Sequence, residues 1–202
     1  MSFTYRENTS IYIQHTDGAL YTTDDWKSKG FVNEEAQGVA VVRPISSSFV
    51  IAKEEGPELA WGGYGTTITE IVTSTLESTA VLDNDGFGNT SKIIEQLSGI
   101  IDSKGVSGAP VAEYCAGYTF PDGKPGYLGA LGEWKCVSDN RTVIEEAMQL
   151  IGGAEINFNY MYQTSTQVSA SLIWLYSFGF YSGRTASKAY NKFLIRAFCP
   201  LS

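Results

Sequence analysis

The order of the hydrophobic patterns along the chain most restricts the fold that it can adopt. Short β-branched or aromatic runs come first, at residues 10–14, 38–42 and 48–52, separated by Gly, Asp and Ser clusters. Helical periodicity follows, and after Gly153 strand patterns return at residues 160–166, 172–178, 180–185 and 193–198. Strands, then helices, then strands again, without βαβ alternation, predict an α+β fold and not a doubly wound parallel sheet.

Three helices are predicted in the middle of the chain. The apolar face of the first comprises Ile93, Ile94, Leu97, Ile100 and Ile101, and Gly99 is expected to end or distort this helix. A short second helix follows Pro110. The third is expected to begin with a capping box of Thr142 and Glu145 and to stop at Gly152. Its apolar stripe comprises Ile144, Ala147, Met148 and Ile151.

Length and composition indicate one globular domain, residues 1–202. Within it we distinguish a β-rich part (1–55), a helical part (90–153) and a C-terminal region (157–198). The net charge of -8 argues against nucleic acid as a partner, and no apolar run is long enough for membrane insertion. No secretory signal peptide is visible. Cys115, Cys136 and Cys199 match no zinc spacing, so reduced, mostly buried thiols are expected, with one disulfide as the alternative.

Residues suited to catalysis are scarce. The chain has one histidine, His15, and no nucleophile or phosphate-binding motif. The acidic run 83–86 lacks the ligand spacing of a calcium loop, so a turn is expected there and no metal site. The acidic pairs at 24–25, 34–35 and 54–55 are interpreted as solvated surface. We therefore predict a protein that is not an enzyme and needs no cofactor.

Charge and aromatic content change sharply near residue 156. All 22 acidic residues precede that point, and Arg184, Lys188, Lys192 and Arg196 are the only charged residues after it. The C-terminal segment (residues 157–202) also holds 11 of the 26 aromatic residues. Such a composition is typical of binding loops, in which aromatic rings offer large contact areas at low entropic cost. A strongly buried β-sheet would have the same composition, and both interpretations remain open.

Several motifs, taken in order, resemble a known family. They are the GYLGALGEW stretch with Tyr127, Leu128, Gly132, Glu133 and Trp134, then Tyr162, Thr164, Ser165 and Thr166, then Trp174, and finally Arg196 and Phe198. This series is similar to the C-terminal module of bacterial and phage C-type-lectin-fold proteins of the formylglycine-generating-enzyme-like type, including gut-bacterial members. The resemblance covers the chain from about residue 36 and implies that fold. It implies no sugar specificity, because no sugar-binding motif of animal lectins is present.

A narrower resemblance is to the variable proteins of diversity-generating retroelements. In that family, adenine-directed mutagenesis rewrites a C-terminal stretch whose side chains form one exposed ligand-binding face. Template AAC codons cannot produce Lys or Trp, so the resemblance implies that Trp174, Lys188 and Lys192 are fixed; Trp174 and Phe198 are assigned to the core. The implied ligand-binding face comprises Tyr162, Val168, Ser169, Ser171, Leu172, Tyr176, Phe178, Phe180, Tyr181, Arg184, Tyr190, Asn191 and Phe193.

The predicted function is recognition of a protein or cell-surface ligand by this diversified C-terminal surface, on a phage tail or a bacterial cell surface. One alternative is a structural or fibre subunit, a homo-oligomer whose aromatic segment is buried between copies. The other alternative is an enzyme of the formylglycine-generating type, for which a buried cysteine pair near a cleft would be the signature.

Overall fold

The computed structural model describes residues 8–157, 159–190 and 192–201, and it has a mixed α and β architecture. The strands are β1 (Ser10–His15), β2 (Leu20–Tyr21), β3 (Ala36–Val42), β4 (Phe49–Ile51), β5 (Tyr127–Leu128), β6 (Met161–Gln167), β7 (Leu172–Ser177), β8 (Ser182–Ser187) and β9 (Ala197–Pro200). The helices are α1 (Thr23–Lys29), α2 (Glu77–Ala80), α3 (Gly86–Leu97), α4 (Pro110–Gly117), α5 (Leu131–Asp139) and α6 (Arg141–Leu150), with a 3₁₀ turn at Asn33–Glu35. The predicted α+β class is confirmed.

The larger sheet joins the two ends of the chain. Its six strands lie in the order β2-β1-β3-β4-β9-β5, and every neighbouring pair is antiparallel. The last strand, β9, lies between β4 and β5, and its Phe198 stacks on Phe49 with ring centroids 4.9 Å apart. The predicted strand at 193–198 begins later than expected, because Leu194 and Ile195 form only isolated bridges before β9.

The smaller sheet is made of the antiparallel strands β6, β7 and β8. The central strand β7 is buried on both faces. Ile173 and Leu175 belong to one hydrophobic cluster, whereas Trp174 and Tyr176 belong to the other. Because successive side chains of a strand point to opposite faces, β7 separates the two clusters of the core.

The predicted helix over Ile93–Ile101 is shorter than expected. Helix α3 ends at Leu97, and Gly99 follows with φ of 71°, so Ile100 and Ile101 lie outside the helix and are exposed. Gly99 thus ends the helix, as predicted. With 12 residues α3 is the longest described helix, and none of the described helices is long and apolar enough to cross a membrane.

Helix α6 has the predicted apolar stripe but a different beginning. Ile144, Ala147, Met148 and Ile151 are all buried. The predicted capping box is wrong, because the helix starts one residue before Thr142 and its N-cap, Asn140, makes no capping hydrogen bond with its side chain. The end is as expected: Gly152 has φ of 67°, which glycine adopts without steric cost.

Candidate functional site

The predicted ligand-binding residues divide into two groups by burial. Exposed or half-buried in the described part of the chain are Ser169, Ser171, Leu172, Phe180, Tyr181, Arg184, Tyr190 and Phe193. Fully or almost fully buried are Tyr162, Val168, Tyr176 and Phe178, for which the predicted surface position is wrong. Asn191 lies outside the described residues. Trp174 and Phe198 are buried, as expected.

The aromatic residues whose predicted surface position is wrong pack around Trp134. The Tyr162 ring stacks on Trp134 with centroids 4.5 Å apart, and Phe178 meets both rings edge-on. The ring centroids of Tyr176 and Phe178 are 5.2 Å apart. Tyr176 and Phe178 are two positions apart and lie on the same face of the chain, and Trp134 of α5 packs on that face. The other hydrophobic cluster covers Ile173 and Leu175 on the opposite face of β7. Their burial is therefore a consequence of tertiary packing.

The turn between β7 and β8 presents two neighbouring aromatic side chains to solvent. Phe180 is 64% exposed and Tyr181 is 59% exposed. An arginine from a different element covers each ring: the Arg184 guanidinium lies 4.5 Å from the Phe180 centroid, and that of Arg141 lies 5.6 Å from the Tyr181 centroid. Cation–π contacts of this kind hold the rings in place without burying them.

Tyr181 also has a strained backbone. Its φ is 52°, in the left-handed region, which costs about 1–2 kcal/mol for a residue with a side chain. Its hydroxyl accepts a hydrogen bond of 2.8 Å from the Arg141 guanidinium. Together with residues 138–143, Tyr181 lines a surface hollow of about 320 Å³. Strain of this kind concentrates at functional sites, where the position of a side chain matters more than local stability.

A second aromatic pair lies on the connection between β8 and β9. Tyr190, which is 47% exposed, contacts the half-buried Phe193 with ring centroids 5.1 Å apart. The chain then returns to β6, where the Leu194 N–H donates to the Met161 carbonyl at 3.0 Å. Phe193 and Met161 both pack against the cluster on one side of β7. The connection is thus anchored beside the smaller sheet.

Residues before the C-terminal segment contribute to the same surface. Leu76 is 64% exposed, and the neighbouring Glu77 carboxylate accepts the outward N–H of Gly183 in β8 at 2.6 Å. Val143 lines the hollow beside Tyr181. None of these was predicted from the sequence, because they lie in other elements and only the fold brings them next to the β7–β8 turn.

The buried polar residues of β6 form hydrogen bonds with neighbouring elements of the fold. The Thr164 hydroxyl donates to the Trp174 carbonyl at 2.8 Å, and the Thr166 hydroxyl donates to the Asp83 carboxylate at 2.7 Å. Asp83 also accepts from Asn89 at 2.9 Å, and its burial raises its pKa. The acidic run 83–86 thus forms the turn that leads into α3. No group of metal-ligating side chains occurs among the described residues.

Of the acidic pair 54–55, Glu54 is exposed, as predicted, whereas Glu55 is half-buried and contacts buried residues. Glu55 forms an ion pair of 3.1 Å with Arg196, which is completely buried, and it also accepts a hydrogen bond from the Tyr162 hydroxyl. The neighbouring Glu54 accepts from the Tyr118 hydroxyl. Arg196 additionally donates to the Ala154 carbonyl at 2.9 Å. This buried network fixes the residues just before β9.

The cysteines are free thiols, as expected, in the described part of the chain. Burial raises the pKa of Cys115, and it raises the pKa of Cys199 to about 11. Both thiols are held protonated, and a protonated thiol is a poor nucleophile. The single histidine, His15, lies at the end of β1, where its Nδ1 accepts from the Asp17 N–H at 3.2 Å.

Glu133 is a buried carboxyl group at the start of α5. It accepts hydrogen bonds of 2.7 Å from the Tyr127 hydroxyl and from the Ala130 N–H. Burial raises the pKa of Glu133 to about 7, and this effect outweighs both hydrogen bonds, which lower it. The protonated carboxyl is therefore the form that the folded protein favours up to neutral pH.

We expect Glu133→Gln to remove a pH dependence of stability. Because the folded pKa lies above the ordinary value of 4.5, the stabilisation is complete below pH 4.5 and is lost as pH rises through 7. Between pH 4.5 and 7.5 the wild type should lose about 3 kcal/mol relative to this variant, measured by urea unfolding. Glu146→Gln, at an exposed position of α6, should leave the dependence intact. An equal pH slope in wild type and Glu133→Gln would contradict this assignment.

Comparisons with known proteins give a likeness of fold. No protein-family model matches the chain, and no curated protein matches it. A crystal structure of a fimbrial protein from Bacteroides ovatus superposes with a TM-score of 0.63 and 10% sequence identity. The match covers 97% of this chain and 49% of the other, so the chain spans about half the length of that protein. At this identity the likeness concerns the fold alone.

Proposed function

We propose that this chain is a non-catalytic binding protein of the C-type lectin fold, whose β7–β8 turn and β8–β9 connection bind a protein or cell-surface ligand. The observation that carries the proposal is the exposed pair Phe180 and Tyr181 on the β7–β8 turn, with the half-buried Arg184 guanidinium over the Phe180 ring. Tyr190 is exposed on the β8–β9 connection, which begins at the other end of β8. Exposed aromatic residues grouped in this way are typical of interaction sites. Arginine and tyrosine are also the residue types that contribute most to binding energy in protein interfaces.

The burial pattern supports a division between fixed and variable positions. The motif residues that carry the family resemblance, among them Trp134, Thr166 and Arg196, are buried and hydrogen-bonded or packed. Of the residues that adenine-directed mutagenesis of AAC codons cannot generate, Trp174 and Lys188 are buried as well, whereas Lys192 is exposed. Side chains that differ between variants would lie in the turn and the connection, where a change does not disturb the core. This arrangement is what a diversified binding surface requires.

A position on a bacterial cell surface or a phage tail follows from the same proposal. The structural neighbour is described as a fimbrial protein, and this favours display on a bacterial surface. The half-buried Arg184 and the exposed Lys192 of the C-terminal segment are basic, so they suit a ligand with carboxylates beside apolar groups.

The genomic locus tests this proposal directly. We expect a near-copy of the segment encoding 157–198 beside a reverse transcriptase gene, differing only at adenines. Differences should fall on the codons of exposed or half-buried residues such as Phe180, Tyr181, Arg184 and Tyr190. The codons of the buried Trp174 and Arg196 serve as the internal control and should be identical. Absence of such a copy, or differences concentrated at buried positions, would overturn the proposal.

A structural subunit is the second candidate, because the neighbour is described as a fimbrial protein. In that case the exposed aromatic residues would be buried between copies. Sedimentation of the purified chain separates the candidates: a monomer at micromolar concentration supports ligand binding. A stable oligomer that Phe180→Ser and Tyr190→Ser together dissociate supports the subunit.

A further inference from the structure

Lys188 is a buried lysine at the end of β8. Lysine is almost never fully buried unless it is paired with an acid. The Lys188 side chain is 0% exposed, yet it forms no ion pair with any described residue. Its Nζ donates to the Thr66 carbonyl at 2.7 Å and to Gln167 Oε1 at 2.6 Å, and it lies 4.6 Å from the centre of the Trp61 ring. The 61–68 segment and the end of β6 thus both contact this nitrogen atom.

The backbone of Lys188 is fixed by the same surroundings. Its N–H donates to the Ser171 carbonyl at 3.1 Å, and its carbonyl accepts from the Gly62 N–H at 3.2 Å. Gln167 is itself held, because its Oε1 accepts from the Ile68 N–H and its amide donates to Thr73. Lys188 therefore joins the start of the β8–β9 connection to the 61–68 segment and to the end of β6. The other end of the connection is attached to β6 through Leu194.

We propose that Lys188 is the positioning residue of the β8–β9 connection: its side-chain nitrogen holds the connection in the conformation that presents Tyr190 and Phe193, and protonation of this nitrogen loosens it. One consequence of this inference, a binding surface whose conformation depends on pH, rests on the proposed function. The contacts of Lys188 stand independently of any ligand.

The number of donors explains the effect of protonation. A neutral amine has two N–H groups, which match the two oxygen atoms that Nζ contacts. An ammonium ion carries a third donor and a full charge; the Trp61 ring attracts this charge, but no carboxylate of the described residues pairs with it and burial removes the water that would hydrate it. Burial lowers the pKa of Lys188 to about 7. When the connection opens, water hydrates the amine and its pKa returns to about 10.4, so the charged form favours the open state.

The charged and titratable groups on the surrounding elements do not compensate this charge. They are Glu58, Tyr64 and Glu70 on the segment before α2, Lys92 and Glu95 on α3, Arg184 on β8, and Tyr190 and Lys192 on the connection. Glu70 pairs with Lys92 at 3.8 Å. Among the described residues none of these groups contacts Nζ, and burial is the cause of the lowered pKa of Lys188.

Hydrogen–deuterium exchange of the 187–194 peptide tests this proposal without a ligand. After correction for intrinsic exchange, we expect the opening constant of the wild type to fall about fifty-fold between pH 7 and 9. Lys188→Met keeps the length of the side chain without a charge and should give an opening constant that does not change with pH. Lys192→Met, at an exposed lysine of the same connection, is the matched control and should behave like the wild type.

A flat opening constant in the wild type, or the same pH dependence in Lys188→Met, would overturn the proposal. If Lys188→Met does not fold, the NMR titration of the Lys188 side chain in the wild type decides. A midpoint near 7 supports the proposal, and a midpoint above 10 refutes it. Because no ligand is used, failure here is distinguishable from failure of the proposed function, which the genomic locus tests.

Discussion

Replacing Arg196 with methionine is expected to lower the free energy of unfolding by about 3–5 kcal/mol, the range for removing one partner of a buried ion pair. The guanidinium is fully buried and donates to the carbonyls of Ala154 and Glu155 and to the Glu55 carboxylate. Methionine fills a similar volume but donates no hydrogen bond. The Glu55 carboxylate then loses its cationic partner and keeps the Tyr162 hydroxyl as a hydrogen-bond donor. Urea unfolding followed by far-UV circular dichroism measures the loss.

Two further variants separate the ion pair from the general effect of a substitution. Arg184→Met removes a half-buried arginine from the same C-terminal segment and should cost less than about 1 kcal/mol. Combining Glu55→Gln with Arg196→Met removes the unpaired charge, so the double variant should be more stable than Arg196→Met alone. Equal losses for Arg196→Met and Arg184→Met would show that the buried network does not hold the residues before β9.

Phe178→Ala is expected to cost about 3–5 kcal/mol, whereas Phe180→Ala should change stability by no more than about 0.5 kcal/mol. The two residues have the same side chain and lie two positions apart. Phe178 is fully buried and contacts Trp134, Tyr162 and Tyr176. Phe180 is 64% exposed, and its ring meets the Arg184 guanidinium.

This matched pair decides between the two interpretations of the aromatic C-terminal segment. If it were an ordinary buried sheet throughout, both substitutions would create cavities and both would lower the denaturant midpoint. If the turn is a binding surface on a packed scaffold, only Phe178→Ala lowers it. A large loss for Phe180→Ala would contradict the proposed surface, unless sedimentation shows an oligomer in which Phe180 is buried.

Local patterns in the sequence were sufficient for the class of fold and for part of the elements, whereas α1, α2, α5, β2 and β5 were not predicted. The strands β1, β3, β4, β6 and β7 and the helices α3, α4 and α6 lie where periodicity places them, because each pattern reflects the geometry of its own backbone. The end of α3 near Gly99 was predictable for the same reason. The helix cap at Thr142 was not, since capping depends on a backbone geometry that one sequence motif does not fix.

The sequence by itself determined the composition of the proposed binding surface, an aromatic segment without carboxylates, but not which of its rings face solvent. In β7 both alternating sets of side chains are apolar, so the pattern contains no information about which face is covered. Only the tertiary structure decides this, by placing hydrophobic clusters on both sides of the strand. The burial of Arg196 and Lys188 is also a tertiary property: a buried cation requires acceptors from distant segments, and Glu55, Thr66 and Gln167 become neighbours only in the folded chain.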